Sequence, residues 1–297
     1  MKTSTTARDY LVGTVLVAVA FALAFAVARF TMTGEASDVP PEATPTGEAL
    51  GVRPAPAPVS GAGRPAEAWL ASDLATRRRQ LTGRFDPATD PAFVVLAKAY
   101  TDGEQDYRVR RETAEALTRM IDSAARDGVT LRVVSATRNF DRQAAIWGAK
   151  WRGERTLSNG VNLGERTDLS DSAKARMILL YSSMPGTSRH HWGTDVDLNA
   201  LNSDYFRSGR GLREYEWLTG HAAHFGFYQP YTSKAAGRTG YEEEEWHWSY
   251  RPLSRNLLRA YRDALTDAEV GGFDGARAAP RVRAVEEYVA GVAPELL

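Results

Sequence analysis

The pattern of apolar and polar residues divides the chain into segments of different character. An uncharged apolar run covers residues 10–28, and a stretch rich in Pro, Ala and Gly follows it. That stretch cannot bury enough apolar surface to fold, whereas aromatic and aliphatic residues become frequent from about residue 66. We therefore predict an N-terminal membrane anchor or signal segment over residues 1–30, a flexible linker over 31–65, a folded domain over 66–265 and a C-terminal tail over 266–297.

The N-terminal apolar run is long enough to cross a bilayer. A helix rises about 1.5 Å per residue, so about 20 apolar residues span a hydrocarbon core of about 30 Å. Lys2 and Arg8 precede the run, which favours a cytoplasmic N-terminus and an exported body. The sequence Ala26-Val27-Ala28 is similar to a signal-peptidase site, so cleavage is the alternative. Because the run is long, we predict a single-pass plasma-membrane protein with its folded domain on the periplasmic or extracellular side.

Helical and strand-like periodicities are mixed within the folded domain. Residues 111–126 place Ala114, Leu117, Ile121 and Ala124 at helical spacing, which predicts a helix. Because helices do not separate the strands regularly, we predict an α+β fold with a small, mainly antiparallel sheet and flanking helices. Further helices are predicted over 141–151, 172–183, 215–225, 253–265 and 281–290, and strands over 130–135, 194–198 and 245–250.

Composition and charge exclude several classes of protein. The 297-residue chain has 37 Lys and Arg against 37 Asp and Glu, which gives no support for nucleic-acid binding. It has no cysteine, which excludes disulfides, thiolate metal sites and a cysteine nucleophile.

Two short segments concentrate the residues that can carry chemistry. Residues 188–198 read SRHHWGTDVDL, and residues 242–248 read EEEEWHW. Two imidazoles and one carboxylate with an open fourth position are a common catalytic zinc arrangement. A zinc ion held in that way activates water and polarises a carbonyl group. The segments offer His190, Asp197 and His247 as ligands and a glutamate from the acidic run as general base.

Strand alternation supports a metal site on a sheet but leaves the base open. In the first segment Asp195 and Asp197 share one strand face, and apolar residues take the other. In the second segment His247 points away from the tryptophans on either side of it. Glu245 shares the His247 face in a regular strand, whereas Glu244 shares it only if the backbone bends before the strand.

Other residues in or near these segments have structural alternatives. His221 and His224 lie three residues apart on a predicted helix, but no acid of matching spacing accompanies them, so we predict a packing role. We predict that Trp192, Trp246 and Trp248 form walls of a ligand cleft, because aromatic side chains often line such clefts. On the residues alone, the acidic run could equally be a solvated loop.

The two segments resemble the VanY-type D-alanyl-D-alanine carboxypeptidases, within a wider group that includes lysostaphin-like and hedgehog-like zinc domains. The group's signature is SxHxxGxxxD followed later by ExxH, and here it is met by Ser188, His190, Gly193, Asp197, Glu244 and His247. The resemblance implies a zinc peptidase domain with Zn²⁺ bound by His190, Asp197 and His247, and with Glu244 as the base. Asp195 stands where the family usually has a small residue, and we keep it outside the ligand set.

The resemblance also covers the residues that would bind substrate. Ser135-Ala136-Thr137-Arg138, with Gln143 after it, is similar to the family's substrate-binding strand end and helix. A guanidinium pairs bidentately with a carboxylate, so we predict that Arg138 binds the C-terminal carboxylate of the substrate, with a surface salt bridge as the alternative. We predict substrate contacts for Gln143 and Ser188 as well. The alternative for Ser188 is that it contacts no substrate and only shapes the turn before His190.

The implied function is a D,D-carboxypeptidase that removes the terminal D-alanine from peptidoglycan stem peptides. Two alternatives stay open. One is an L,D-carboxypeptidase acting on tetrapeptide stems, and the other is a non-catalytic, zinc-containing module that binds the cell wall. The partners that we expect are stem peptides and, through the N-terminal helix, the membrane.

Overall fold

The computed structural model describes residue 70 and residues 72–297. The predicted membrane segment and the predicted linker lie outside the described residues. None of the described helices combines the length and the apolar composition that a membrane crossing requires.

The described residues form a mixed α and β fold with small antiparallel sheets, which confirms that part of the fold prediction. The helices are α1 (Leu74–Leu81), α2 (Arg111–Arg126), α3 (Phe140–Trp151), α4 (Asp171–Ile178), α5 (Ser203–Phe206), α6 (Gly209–His221), α7 (Arg251–Ala264) and α8 (Ala279–Val282). The strands are β1 (Phe93–Val95), β2 (Arg108–Arg110), β3 (Val133–Ser135), β4 (Asp195–Leu198), β5 (Phe227–Tyr228) and β6 (His247–Tyr250).

The larger sheet has the order β3-β4-β6-β5, and every neighbouring pair in it is antiparallel. Its register places Asp197 opposite His247 and Asp195 opposite Ser249. Residues that are directly opposite each other project from the same face of a sheet. One face of β4 and β6 therefore carries two carboxylates and an imidazole.

The other face of the same two strands belongs to the hydrophobic core. Val196, Leu198 and Trp248 are buried there in one cluster with the apolar faces of α2 and α7. The α2 helix has the bounds that the apolar periodicity predicts, because its buried positions recur every three to four residues. The sheet is thus supported from behind by a packed core.

Gly193 connects the turn that carries His190 to strand β4. The 3₁₀ turn Arg189–Trp192 ends at this glycine, which has a left-handed φ of 70°. A Cβ atom here would collide with the ring of Phe93. Glycine therefore meets two requirements at this position, namely the positive φ and the close approach of Phe93.

Helix α6 begins six residues before the start that the sequence predicts. Glycine disfavours helix, but Gly209 and Gly211 both belong to α6. A Cβ on Gly211 would collide with the Tyr205 carbonyl oxygen, so this glycine allows α6 to pack closely on α5.

The residues that follow Thr266 pack into the same core as the rest of the domain. Val282, Val289 and Leu296 are buried members of the central hydrophobic cluster. The Trp147 indole donates a hydrogen bond to the Asp274 carbonyl oxygen at 2.8 Å. The segment that the sequence sets apart as a tail therefore contributes to the core, and the helix predicted over 281–290 is divided between α8 and a π-helical stretch, Ala284–Val289.

The two C-terminal leucines provide a matched test of this packing. Leu296 is fully buried, whereas Leu297 is 49% exposed. We expect Leu296→Ala to lower the free energy of unfolding by about 2–5 kcal/mol, because it leaves a cavity in the core. Leu297→Ala should change it by less than about 0.5 kcal/mol. Urea denaturation measures both values, and equal effects would mean that the segment is not part of the core.

Candidate active site

His190, Asp197 and His247 meet at one end of the larger sheet. One potential ligand atom from each side chain lies within 4.8 Å of the other two, and all three residues are buried. The Asp197 Oδ1 atom is 3.4 Å from His190 Nε2 and 3.5 Å from His247 Nδ1. The β4–β6 register supplies Asp197 and His247, and the turn before β4 supplies His190. The structure therefore brings together the three predicted ligands.

The protonation of His190 suits a metal ligand. Its Nδ1 lies 2.8 Å from the Ala136 carbonyl oxygen, so this nitrogen carries the proton and donates it. Burial, and then the charge of Arg138, lower the pKa of His190, which keeps the imidazole neutral. The Nε2 lone pair therefore points at Asp197 and is free to bind a cation.

Two buried polar atoms at this point have no hydrogen-bond partner. They are His190 Nε2 and Asp197 Oδ1, which face each other. Buried polar atoms without a partner are rare in folded proteins. A cation between these atoms would satisfy both, and two imidazoles with one carboxylate are a donor set that suits zinc. The residues present thus fit the metal that the family resemblance implies.

Carboxylates around His247 favour positive charge at the same place. Burial lowers the pKa of His247, but the hydrogen bonds with Asp195 and Glu244 outweigh it and raise the pKa to about 9. Burial would raise the pKa of Asp197, but the neighbouring His190, His247 and Arg138 hold it below its usual range.

Asp195 lies behind the ligands and contacts His247 from the far side. Its Oδ1 is 3.1 Å from His247 Nε2 and accepts a 2.9 Å hydrogen bond from Arg189 Nε. Arg189 also donates to the Ser249 hydroxyl at 2.6 Å, and its ion pair with Asp195 is fully buried. A carboxylate that holds the second nitrogen of a ligating histidine orients the ring toward the metal. Sequence reasoning missed Arg189, although its place beside His190 in the motif was an available signal.

Glu244 faces the site, and Glu245 does not. Glu244 Oε2 is 3.1 Å from His247 Nδ1, and burial raises the pKa of Glu244. The backbone turns before β6, where the His247 amide donates to the Glu244 carbonyl oxygen at 3.3 Å. Glu245 instead accepts a 2.8 Å hydrogen bond from the Ser203 hydroxyl. The chain therefore has the bend that Glu244 needs to share the His247 face.

A cleft with a volume of about 770 Å³ opens onto these residues, and Arg138 and Gln143 line it. Arg138 Nη1 donates to the Ser135 hydroxyl at 3.0 Å and lies 3.8 Å from Asp197 Oδ2. The Gln143 amide donates to the Ser183 carbonyl oxygen at 2.8 Å, while its own buried Oε1 has no partner. Ser188 is buried and does not line the cleft, so its predicted substrate contact gains no support from the geometry.

Two of the three tryptophans that were predicted as cleft walls lie elsewhere. Trp246 lines the cleft, as predicted. Trp192 and Trp248 are buried in the hydrophobic cluster, so the prediction is wrong for them. Trp248 occupies the strand face opposite His247, and the Trp192 indole donates to the Leu81 carbonyl oxygen at 3.1 Å.

His221 packs on its own helix, as expected of a residue without a metal role. Its ring stacks on Trp217 at 4.9 Å between centroids, and its Nδ1 is 2.9 Å from the Trp217 carbonyl oxygen. His224 lies in the turn after α6, and neither histidine lines the cleft.

The curated proteins that are similar to the chain include two that are described as carboxypeptidases. The putative carboxypeptidase YodJ of Bacillus subtilis is 29% identical over 184 residues, which cover 60% of this chain and 58% of that protein. The chain thus spans less than two thirds of the length of YodJ. A D-alanyl-D-alanine carboxypeptidase of Enterococcus faecalis is 29% identical over 228 residues, which cover 75% of each chain.

Among solved structures, the vancomycin resistance D,D-pentapeptidase VanY from a VanB-type cassette, in complex with Zn(II), is 25% identical with a TM-score of 0.40. The match covers 58% of this chain and 90% of that one. The LdcB LD-carboxypeptidase is 21% identical with a TM-score of 0.44, and the match covers 71% of this chain and 81% of that one.

The match to a protein family includes every residue of the site described above. Residues 106–253 match the VanY family, which is described as D-alanyl-D-alanine carboxypeptidase. This region contains the motif residues from Ser188 to His247, together with Arg138 and Gln143 on the cleft wall. Residues 106–253 of the chain therefore form a domain of the VanY family of D-alanyl-D-alanine carboxypeptidases.

Proposed function

We propose that the chain is a zinc-dependent D,D-carboxypeptidase that removes the terminal D-alanine from peptidoglycan stem peptides. The observation that carries this proposal is the pair of partnerless buried atoms, His190 Nε2 and Asp197 Oδ1, beside the buried carboxylate of Glu244. This arrangement would hold a cation next to a proton acceptor, in a cleft that is open to substrate. Family membership supports the assignment of the reaction as carboxypeptidase chemistry.

His190, Asp197 and His247 would hold the zinc ion. Zinc in such a site makes a water molecule a stronger acid and polarises a carbonyl group. Asp195 and Arg189 hold the His247 ring from behind, in an orientation that would leave Nδ1 available to the metal.

Glu244 would move the proton. Its pKa is raised by burial, which brings the carboxylate closer to the range in which it can both accept and return a proton near neutral pH. It would accept a proton from the attacking water and return one to the amine of the leaving D-alanine. Its side chain lies 3.1 Å from a ligand nitrogen, so it is placed next to the reacting atoms.

Arg138 and Gln143 would hold the end of the substrate. The Arg138 guanidinium presents a charged fork to the cleft, and its buried Nε has no partner. A terminal carboxylate matches that fork. The partnerless Oε1 of Gln143 can accept a hydrogen bond from a substrate N–H group. Ser188 remains a predicted substrate contact without a place on the cleft wall.

The same residues could remove D-alanine after either a D- or an L-configured penultimate residue, and they leave little reason for a purely binding role. An L,D-carboxypeptidase acting on tetrapeptide stems would use the same ligands and the same base. A binding module, by contrast, has no use for a buried carboxylate beside a metal ligand. The position of Glu244 therefore favours an enzyme over a binding module.

Metal content tests the ligand set. We expect one zinc ion per chain. A strong chelator should remove this ion, and the activity should be lost with it. His247→Ala should lose the metal, because it removes one of three protein ligands. His221→Ala should keep it, since His221 lies outside the cleft. Elemental analysis after dialysis measures the content. Full zinc occupancy in the double variant His190→Ala, His247→Ala would rule out this set of ligands.

Two neighbouring glutamates provide a matched test of the base. We expect Glu244→Gln to lower kcat by about 10²–10⁴-fold, because the amide cannot accept the proton, while zinc content is unchanged. Glu245→Gln should be close to the parent protein. Release of D-alanine from a pentapeptide ending in D-Ala-D-Ala measures kcat. The opposite ranking would show that the base is assigned incorrectly, and release only from tetrapeptides would favour the L,D reading.

We also propose that residues 1–30 anchor the protein in the plasma membrane with the folded domain outside. The support is the uncharged run over residues 10–28 and the basic residues before it. External protease should digest the domain in intact spheroplasts. Protection of the domain would contradict the topology, whereas a mature protein that begins near Arg29 would contradict only the anchor.

A further inference from the structure

A row of cations lies along one wall of the cleft, apart from the metal ligands. Arg142, Ile146 and Lys150 recur every four residues on α3, and all three line the cleft. This spacing places them on one face of the helix. Arg155, which follows the helix, lines the same cleft. We call Arg142, Lys150 and Arg155 the cation wall.

The cation wall has no acidic partner within the part of the chain that the structure describes. No ion pair there includes any of its three members, whereas the other two arginines of the cleft each lie within 4.0 Å of a carboxylate. Arg138 is 3.8 Å from Asp197, and Arg207 is 2.6 Å from Asp204. The wall therefore adds positive charge to the cleft that no ion pair in the described part of the chain neutralises.

The outward side of the same helix end shows the contrast. Arg152 follows Lys150 by two residues and lies outside the cleft. Its side chain donates hydrogen bonds to Glu154 and Asp274, each at 2.7 Å. This exposed cation is thus paired with two acids, whereas no ion pair among the described residues includes a member of the cation wall.

Lys150 is the member of the wall that is withdrawn from solvent. It is half-buried, and its ammonium donates to the Ser182 hydroxyl. Burial, followed by the charges of Arg155 and Arg138, lowers the pKa of Lys150 to about 8. A partly desolvated ammonium among other cations is stabilised when an anion binds beside it.

The position of the wall indicates which part of a peptide it would meet. Eight residues of helix separate Arg142 from Lys150, a rise of about 12 Å. An extended peptide covers that length with about three to four residues. Arg138, two residues before α3 and 3.8 Å from Asp197, marks the metal end. Arg138 and the wall line the same cleft, so a peptide whose terminus lies at Arg138 has the wall within reach of its upstream residues.

We propose that the cation wall binds a carboxylate carried by a substrate residue N-terminal to the scissile bond. The inference rests on the proposed function, because it concerns the same cleft and the same peptide. It specifies the substrate class further: stem peptides whose upstream residues keep a free carboxylate bind better than those in which that group is an amide.

The test compares synthetic peptides that end in D-Ala-D-Ala and differ in one group. Glu and Gln are exchanged at the third position from the C-terminus in one pair and at the fourth position in another. Calorimetry with zinc-loaded Glu244→Gln protein measures Kd without hydrolysis. We expect the Glu peptide of at least one pair to bind about tenfold more tightly, as expected for a charge-assisted hydrogen bond.

Lys150→Met is then combined with Glu244→Gln. In this double variant the ratio of the Kd values of the Gln and Glu peptides should fall to near one, whereas Lys150→Arg should retain part of the difference. Arg152→Met is the matched control and should keep the full preference, because Arg152 lies outside the cleft. Equal binding of both peptides in both pairs, or a preference that survives Lys150→Met, would overturn the inference.

The two proposals fail separately. If the parent protein releases D-alanine but shows no preference for a carboxylate, the cation wall is not a substrate site and the proposed function stands. If the preference is present and depends on Lys150 but no D-alanine is released, the wall binds peptide carboxylates and the proposed reaction is wrong.

Discussion

The antiparallel register between β4 and β6 is the constraint on which the site depends. It places Asp197 opposite His247 and Asp195 opposite Ser249, so that all four side chains share one face. A slip of one residue would turn both carboxylates into the hydrophobic core, which makes any other register very unfavourable. Arg189 bridges the two strands, since it donates to Asp195 on β4 and to Ser249 on β6.

The buried Arg189–Asp195 pair has a cost as well as a role. Both side chains are withdrawn from water, and the desolvation of such a pair can exceed its Coulombic gain. Its value lies in the geometry, because Asp195 also holds the His247 ring from behind. Because the His247 imidazole is held in place, its cleft-side nitrogen can bind a metal ion without a rotation of the ring.

The cleft has two chemically different ends that the fold supports in different ways. Strands and the turn before β4 provide the buried end with the three proposed metal ligands, where carboxylates prevail. Helix α3 and Arg155, which follows it, provide the cation wall. The C-terminal segment supports the cleft from outside, since the Tyr288 ring lies 5.1 Å from that of Tyr241, a residue of the cleft. Residues without a motif of their own thus position part of the binding surface.

The sequence by itself determined the features that depend on local periodicity and motif spacing. These are the mixed fold, the bounds of α2 and the membership of the three proposed ligands in one motif. It did not decide between Glu244 and Glu245 by alternation, because the bend before β6 follows from contacts with distant residues, such as the amide of Glu244 with Tyr231. It also could not reveal the Arg189–Asp195–His247 chain, the core role of residues after Thr266, or which face of α3 lines the cleft. An apolar pattern shows that a face is buried, whereas only the tertiary structure decides which distant segment covers it.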